Sequence, residues 1–202
     1  MLEYLKLFLT VFLGSGAAIA IIKLIFDNRK ERRERSEATK YLAIQLAFQF
    51  EGFAIECAQG VSDHQTAVEN DGHAGALLWK VPSPAQLPTS EAYRFMESAI
   101  LSHVLAFSQQ CRMAQLAADF WVDTVGDRDC YQAAVEENTV SMGSEALDIA
   151  RAIRNASQLG GRALTFAKWN IDDFLAVEMR KVKERIERQE RMKREHDASG
   201  SS

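Results

Sequence analysis

The stretch "GSGAAIAIIKLIFDNRKERRER", Gly14 to Arg35, decides the fold because its character changes at one residue. Up to Phe26 it is apolar, with Lys23 its one charge. From Asp27 to Arg35, eight of nine residues are charged: Asp27, Arg29, Lys30, Glu31, Arg32, Arg33, Glu34 and Arg35. No glycine, proline or serine linker separates the two parts, which is the pattern of a helix crossing a membrane edge.

Outward from this boundary, "YLKLFLTVFLGSGAAIAIIKLIF" runs from Tyr4 to Phe26 and has no charge between Lys6 and Lys23. As a helix it would extend about 34 Å, close to the hydrocarbon thickness of a bilayer. Both lysines stand where their stems can lie in lipid while the ammonium groups reach the headgroups. Only a helix satisfies every backbone group of a lone segment in lipid. A cleaved signal peptide would carry its bases before the apolar run, whereas here they follow it. A buried core helix rarely runs so long without a polar face. The reading is a membrane anchor over residues 1–27, spanning at about 4–26.

The flanks set an orientation. Arg29, Lys30, Arg32, Arg33 and Arg35 outweigh a nearly neutral start, and basic flanks stay in the cytoplasm. The first few residues are therefore expected outside and residues 27–202 on the cytoplasmic side of the inner or plasma membrane. Gly14/Ala18 and Gly16/Ala20 form overlapping small-xxx-small pairs that would allow two anchors to pack closely.

Residues 28–196 read as an all-α domain, an antiparallel bundle of about four long helices, with an irregular loop at 72–90 and a disordered tail at 197–202. Leu42, Leu46, Phe50, Phe53, Cys57, Val61, His64 and Val68 recur at steps of three and four, which keeps them on one helix face. "ENDGH" stops that helix, and nothing breaks it from the anchor, so the two are expected as one rod bent only slightly at the bilayer surface. All three prolines fall in the loop (Pro82, Pro84, Pro88). Thr89 and Ser90, next to Glu91, offer an N-cap to a second helix carrying Met96 through Val125. A third helix carries Val135 to Ile153. A fourth starts before Leu164 and Ala167 and runs into "RKVKERIERQERMKREH". Turns between such helices predict up-down-up-down topology.

Charge is partitioned along the chain. Residues 29–40 hold six bases and three acids, 41–160 hold fifteen acids and six bases, and 180–195 hold eight bases and four acids. The acidic middle argues against nucleic acid, which needs a basic face. In the up-down-up-down topology Arg180–Arg194 returns beside Arg29–Arg35. Both basic segments would then face anionic headgroups, each base near the surface contributing about 1 kcal/mol. The alternative for the fourth helix is self-pairing through Glu184/Arg188 and Glu187/Arg191. Cys57, Cys111 and Cys130 are odd in number and widely spaced, as reduced thiols are.

Two helices carry more apolar surface than one stripe requires. Ile44, Phe48 and Ile55 lie opposite the Leu42/Phe53 face of the first. Leu105 and Leu116, flanked by Leu101 and Met113, lie opposite the main stripe of the second. These second stripes predict cover by the long loop, or by a partner protein or second copy. The leading expectation is a non-enzymatic membrane-anchored scaffold that self-associates.

Two alternatives come from other classes. One is a membrane-tethered metal enzyme using His64, His73 and the carboxylates of "DHQTAVENDGH", although no HExxH, HxH or HxxxH pairs two histidines on one face. The other is a membrane-disrupting effector that assembles through Gly14–Ala20. His103 borders a core stripe and is expected as a hydrogen-bonded core histidine. Gly160-Gly161-Arg162 reads as a turn and lacks the rest of a phosphate-binding loop. Adjacent Asp172 and Asp173 diverge, so no paired-carboxylate site is expected, and no cofactor pattern is present.

Overall fold

The computed structural model describes residues 17–199. Four long helices dominate: α1 (Ala17–Glu69), α2 (Ser98–Phe120), α3 (Arg128–Ala156) and α4 (Ile171–Ser199). The Ser90 hydroxyl accepts from the Ala92 amide, and so caps the 3-10 turn Glu91–Phe95 that precedes α2. A wider π-type turn, Trp121–Val125, ends α2 and closes on Gly126 in the left-handed conformation. A two-residue hairpin, β1 (Thr165–Phe166) against β2 (Trp169–Asn170), precedes α4.

α1 is one uninterrupted helix of 53 residues, about 80 Å at 1.5 Å per residue. The described part of the apolar run, the charged cluster and the first core stripe are all on this rod. Residues 19–38 are exposed throughout, and the core begins at Leu42. So the foot of α1 stands clear of the bundle, and the packed domain starts later than residue 28. At its other end the Gly72 amide bonds Ala67 O at 2.8 Å. Gly75 then passes so close to α1 that a Cβ would lie 2.3 Å from the Asp63 carbonyl. No other residue fits there.

α3 is the hub. It packs against α1, α2 and α4, and buries Val135, Thr139, Val140, Gly143, Ala146, Leu147, Ile149, Ala150 and Ile153. Several of these are small, which lets three helices approach one. At Gly143 a Cβ would lie 2.8 Å from Cys57 Cβ of α1 and 3.4 Å from Leu175 of α4. Phe107 of α2 closes the core, with Phe50 and Phe53 both edge-on at 5.1 Å between ring centres.

The helix directions differ from strict alternation. Glu51 meets Arg154 and Gln65 meets Glu136, so α1 and α3 are antiparallel. Asn138 reaches Ala114 O and Gln110 reaches Glu145, so α2 also opposes α3. Arg151 meets Asp172 and Arg185 meets Glu137, so α4 opposes α3 too. Hence α1, α2 and α4 run the same way. The one reversal that the helices do not supply, between α1 and α2, comes from an extended connection. Residues 70–90 travel back down the bundle, with Leu78 N donating to His64 Nδ1 and Gln49 donating to Gln86 O. At about 3.3 Å per extended residue this segment is ample for the return.

Four expectations change, the first because of these directions. The basic end of α4 does not come back beside Arg29–Arg35. Val182 clusters with Val61, about 39 Å along α1 from Arg35, and the later turns continue away. α4 also continues to Ser199, into the start of the expected tail, because no breaker precedes Gly200. Leu164 and Ala167 belong to the connection and hairpin, not to the fourth helix; Ala167 is held at φ 53°, outside helical geometry. His103 faces solvent instead of the core.

Candidate interaction surfaces

The foot of α1 presents Ile19, Ile21, Ile22, Leu24, Ile25 and Phe26, all exposed; Ile19 and Phe26 keep 70% and 71% of their surface. No helix among the described residues is long and apolar enough to cross a membrane. Residues 4–16 of the expected span lie outside the described residues, and with them Gly14 and Gly16 of the two small-xxx-small pairs. Of their partners, Ala18 belongs to the first turn of α1, but its side chain also lies outside what is described. Ala20 is exposed. The expected packing of Gly14 on Ala18 and Gly16 on Ala20 therefore has one described side chain in four, and that one touches no neighbour that buries it.

Above the apolar turns, Lys30 approaches Glu34 at 3.9 Å and Arg35 bonds Glu31. Among the described residues Arg29, Arg32 and Arg33 have no ion-pair partner, so the collar keeps a net positive charge. Higher up, Arg32, Arg35 and Lys40 line a cleft with Phe95 and Ser157 at the C-terminus of α3. These cations complement the negative end of that helix.

The two second stripes have different surroundings. On α1, Ile44, Phe48 and Ile55 remain exposed, and Tyr41 extends the same face. The 72–90 loop does not cover them, because Pro84, Ala85 and Leu87 lie over Phe50, Phe53 and Phe107 on the side toward α2. Instead Arg162 and Arg154 stand over the Phe48 ring at 4.8 and 5.7 Å. On α2, Leu105, Met113, Leu116 and Phe120 form one exposed strip, Leu101 being half-buried at its start. It continues into Trp121, Val122 and Val125 of the π-type turn, of which Trp121 and Val125 have the spacing of the core stripe. The wider turn rotates them off the α2 stripe, a departure that sequence spacing does not reveal.

Under the α1 stripe lies a buried ion cluster that sequence spacing also does not reveal. Glu51 is clamped by Arg154, with Nε to Oε1 at 2.5 Å and Nη2 to Oε2 at 3.1 Å. Arg162 Nη1 reaches Oε2 at 3.2 Å. These residues are 103 and 111 positions apart. Beside the cluster, α1 and the hairpin enclose a cleft of about 720 Å³. Ile55, Gln59, Ser62 and Asp63 line one wall, with Arg162, Leu164, Phe166 and Trp169 on the other side.

The metal candidates are not assembled. His64 is buried and uses Nδ1 to accept from the Leu78 amide at 3.2 Å, while His73 is exposed beyond the glycine turn. Among the described residues no group of three or more histidines, cysteines or carboxylates could hold a metal ion. Cys57 and Cys111 are buried in the core. Burial pushes both thiols up, Cys111 to about 12, with smaller contributions from Cys111 beside Cys57 and from Glu145 beside Cys111. Asp127 accepts from the amides of Asp129 and Cys130, both at 3.0 Å, and so caps α3. The Cys130 amide is the main reason its carboxyl is held low.

No protein-family model matches the chain, and neither a curated protein nor a solved structure matches it.

Proposed function

We propose that the chain is a single-pass, membrane-anchored helical scaffold whose bundle gathers partner proteins or further copies of itself at an anionic cytoplasmic membrane surface. One observation carries this reading: the 53-residue α1. Its exposed apolar turns, its charged collar and the Leu42–Val61 core stripe are successive parts of one helix. Whatever fixes the apolar end therefore fixes the bundle without an intervening hinge. An apolar surface of six large side chains on a projecting rod is costly in water at about 25 cal/mol per Å², and burial in lipid removes that cost. The collar supports the same placement through unpaired arginines just beyond Phe26. The exposed strips on α1 and α2 supply the gathering surfaces, since contiguous exposed apolar patches mark interfaces.

Two measurements test it. After lysis without detergent, the intact chain is expected in the membrane pellet and to resist alkaline carbonate; recovery in the supernatant would refute the anchor. In detergent, the chain is expected to be oligomeric. Phe48→Ser with Ile55→Ser, or Leu105→Glu with Leu116→Glu, is expected to reduce the oligomer while the circular dichroism of the bundle stays unchanged. A wild-type monomer, or collapse of the fold in both variants, would refute the gathering surfaces.

A further inference from the structure

We propose that the cleft between α1 and the β1–β2 hairpin is a binding site for a small, water-soluble organic monoanion with a flat apolar body. Its volume of about 720 Å³ is within the range of small-molecule sites, which are mostly apolar with a few placed polar groups. Leu164, Phe166, Trp169 and Ile171 supply the apolar side, with Ile55 across from them on α1. Trp169 is braced edge-on by Phe174, with ring centres 5.7 Å apart, so one aromatic wall is held in place.

The charge at one end is equally fixed. Arg162 lines the cleft and is tethered by one Nη1 bond to the buried Glu51 carboxylate. It makes no other hydrogen bond among those described. Its guanidinium lies over Phe48, and Arg154 already balances the Glu51 charge through a two-bond clamp. The cluster is thus one positive charge in excess, and the spare donors belong to the half-exposed Arg162. A planar fork of this kind matches a carboxylate or sulfonate.

Asp63 is the counterweight. It lines the cleft twelve residues along α1 from Glu51, about 18 Å away, and would repel a second negative group there. Gln59 and Ser62 between them can hydrogen-bond a polar edge. The location selects against bilayer lipid. Glu51 is 25 residues beyond Phe26 on the same helix, about 38 Å, which is past the headgroup layer of any membrane holding the anchor.

The choice of a water-soluble ligand over lipid rests on the anchored reading; the cleft and its Arg162 do not, and their test does not use oligomeric state. The full chain in zwitterionic nanodiscs is titrated with 2-naphthoate, followed by calorimetry and tryptophan fluorescence, with empty nanodiscs subtracted for partitioning. Saturable binding at one site per chain is expected. Uncharged 2-naphthamide should bind at least about tenfold more weakly, as should 2-naphthoate to Arg162→Gln, because a charge-assisted bond is lost. Gln59→Trp, which fills the cleft from an exposed position, should abolish binding. If Arg162→Gln lowers thermal stability, the amide and Gln59→Trp decide. Absence of saturable binding up to millimolar naphthoate, equal affinity for the amide, or unchanged affinity in Gln59→Trp would each overturn the site.

Discussion

Glu51→Gln is the sharpest perturbation of this molecule, because it keeps the side-chain shape and removes one charge. The Glu51 side chain is 6% exposed, Arg154 12% and Arg162 46%. Deleting one partner of a fully buried pair costs roughly 3–5 kcal/mol, since the other charge is left without compensation. Arg154 retains some solvent and the Phe48 ring, and Arg162 is screened by water. The expected loss is therefore about 2–3 kcal/mol. For a chain of this size that lowers Tm by roughly 5–10 °C. Thermal unfolding followed by circular dichroism measures it. Replacing the pair with apolar groups, Glu51→Leu with Arg154→Met, is expected to recover most of the loss, because no buried charge remains. Arg162→Ala alone should cost less than about 1 kcal/mol. If Glu51→Gln costs under about 1 kcal/mol, or if the apolar pair is no better than the single variant, the cluster is not a buried clamp and the excess charge assigned to Arg162 falls with it.

Two glycines inside helices should respond in opposite directions to the same change. Gly143→Ala gains about 1 kcal/mol of helix propensity, but its new Cβ would lie 2.8 Å from Cys57 Cβ, and overpacking costs about 1–3 kcal/mol; a net loss is expected in urea titration. Gly52→Ala meets nothing within 4 Å and should stabilise by up to about 1 kcal/mol, so equal signs would refute the close α1–α3–α4 crossing. Cys57 and Cys111 are neutral in the fold with raised pKa values, so their contribution is complete below the ordinary thiol value of 9.0. It is lost as pH rises above that value, because the unfolded chain then releases protons that the fold retains. Unfolding midpoints should fall between pH 9 and 11, and Cys57→Ala with Cys111→Ala should flatten that fall. Loss of the Asp127 cap in Asp127→Ala should fray the first turn of α3, read as faster amide exchange at Asp129 and Cys130, whereas Asp127→Asn should preserve protection.

Elements with a local cause were legible in the sequence. The three- and four-residue spacing from Leu42 to Val61 places α1's core face, because helical period alone decides which side chains share a side. The stop at Asn70–Gly72 is equally local, whereas Ser90 caps the 3-10 turn Glu91–Phe95 and α2 itself starts only at Ser98. The outward strips at Ile44, Phe48, Ile55, Leu105 and Leu116 follow from the same angles. Helix direction has no such local cause. A connection of twenty residues reads alike whether it crosses the top of a bundle or runs down its side, and only Leu78 against His64 and Gln86 against Gln49 distinguish the two.

Sequence by itself determined that α1 carries an apolar end, a basic collar and a core stripe on one axis, because helix geometry converts order along the chain directly into height and face. Tertiary structure alone decided that α3 is central, that α4's basic turns point away from the collar, and that Glu51 meets Arg154 and Arg162. Those outcomes depend on contacts between residues from about twenty to more than a hundred positions apart, whose energies arise only after the helices have packed and expelled water from between them.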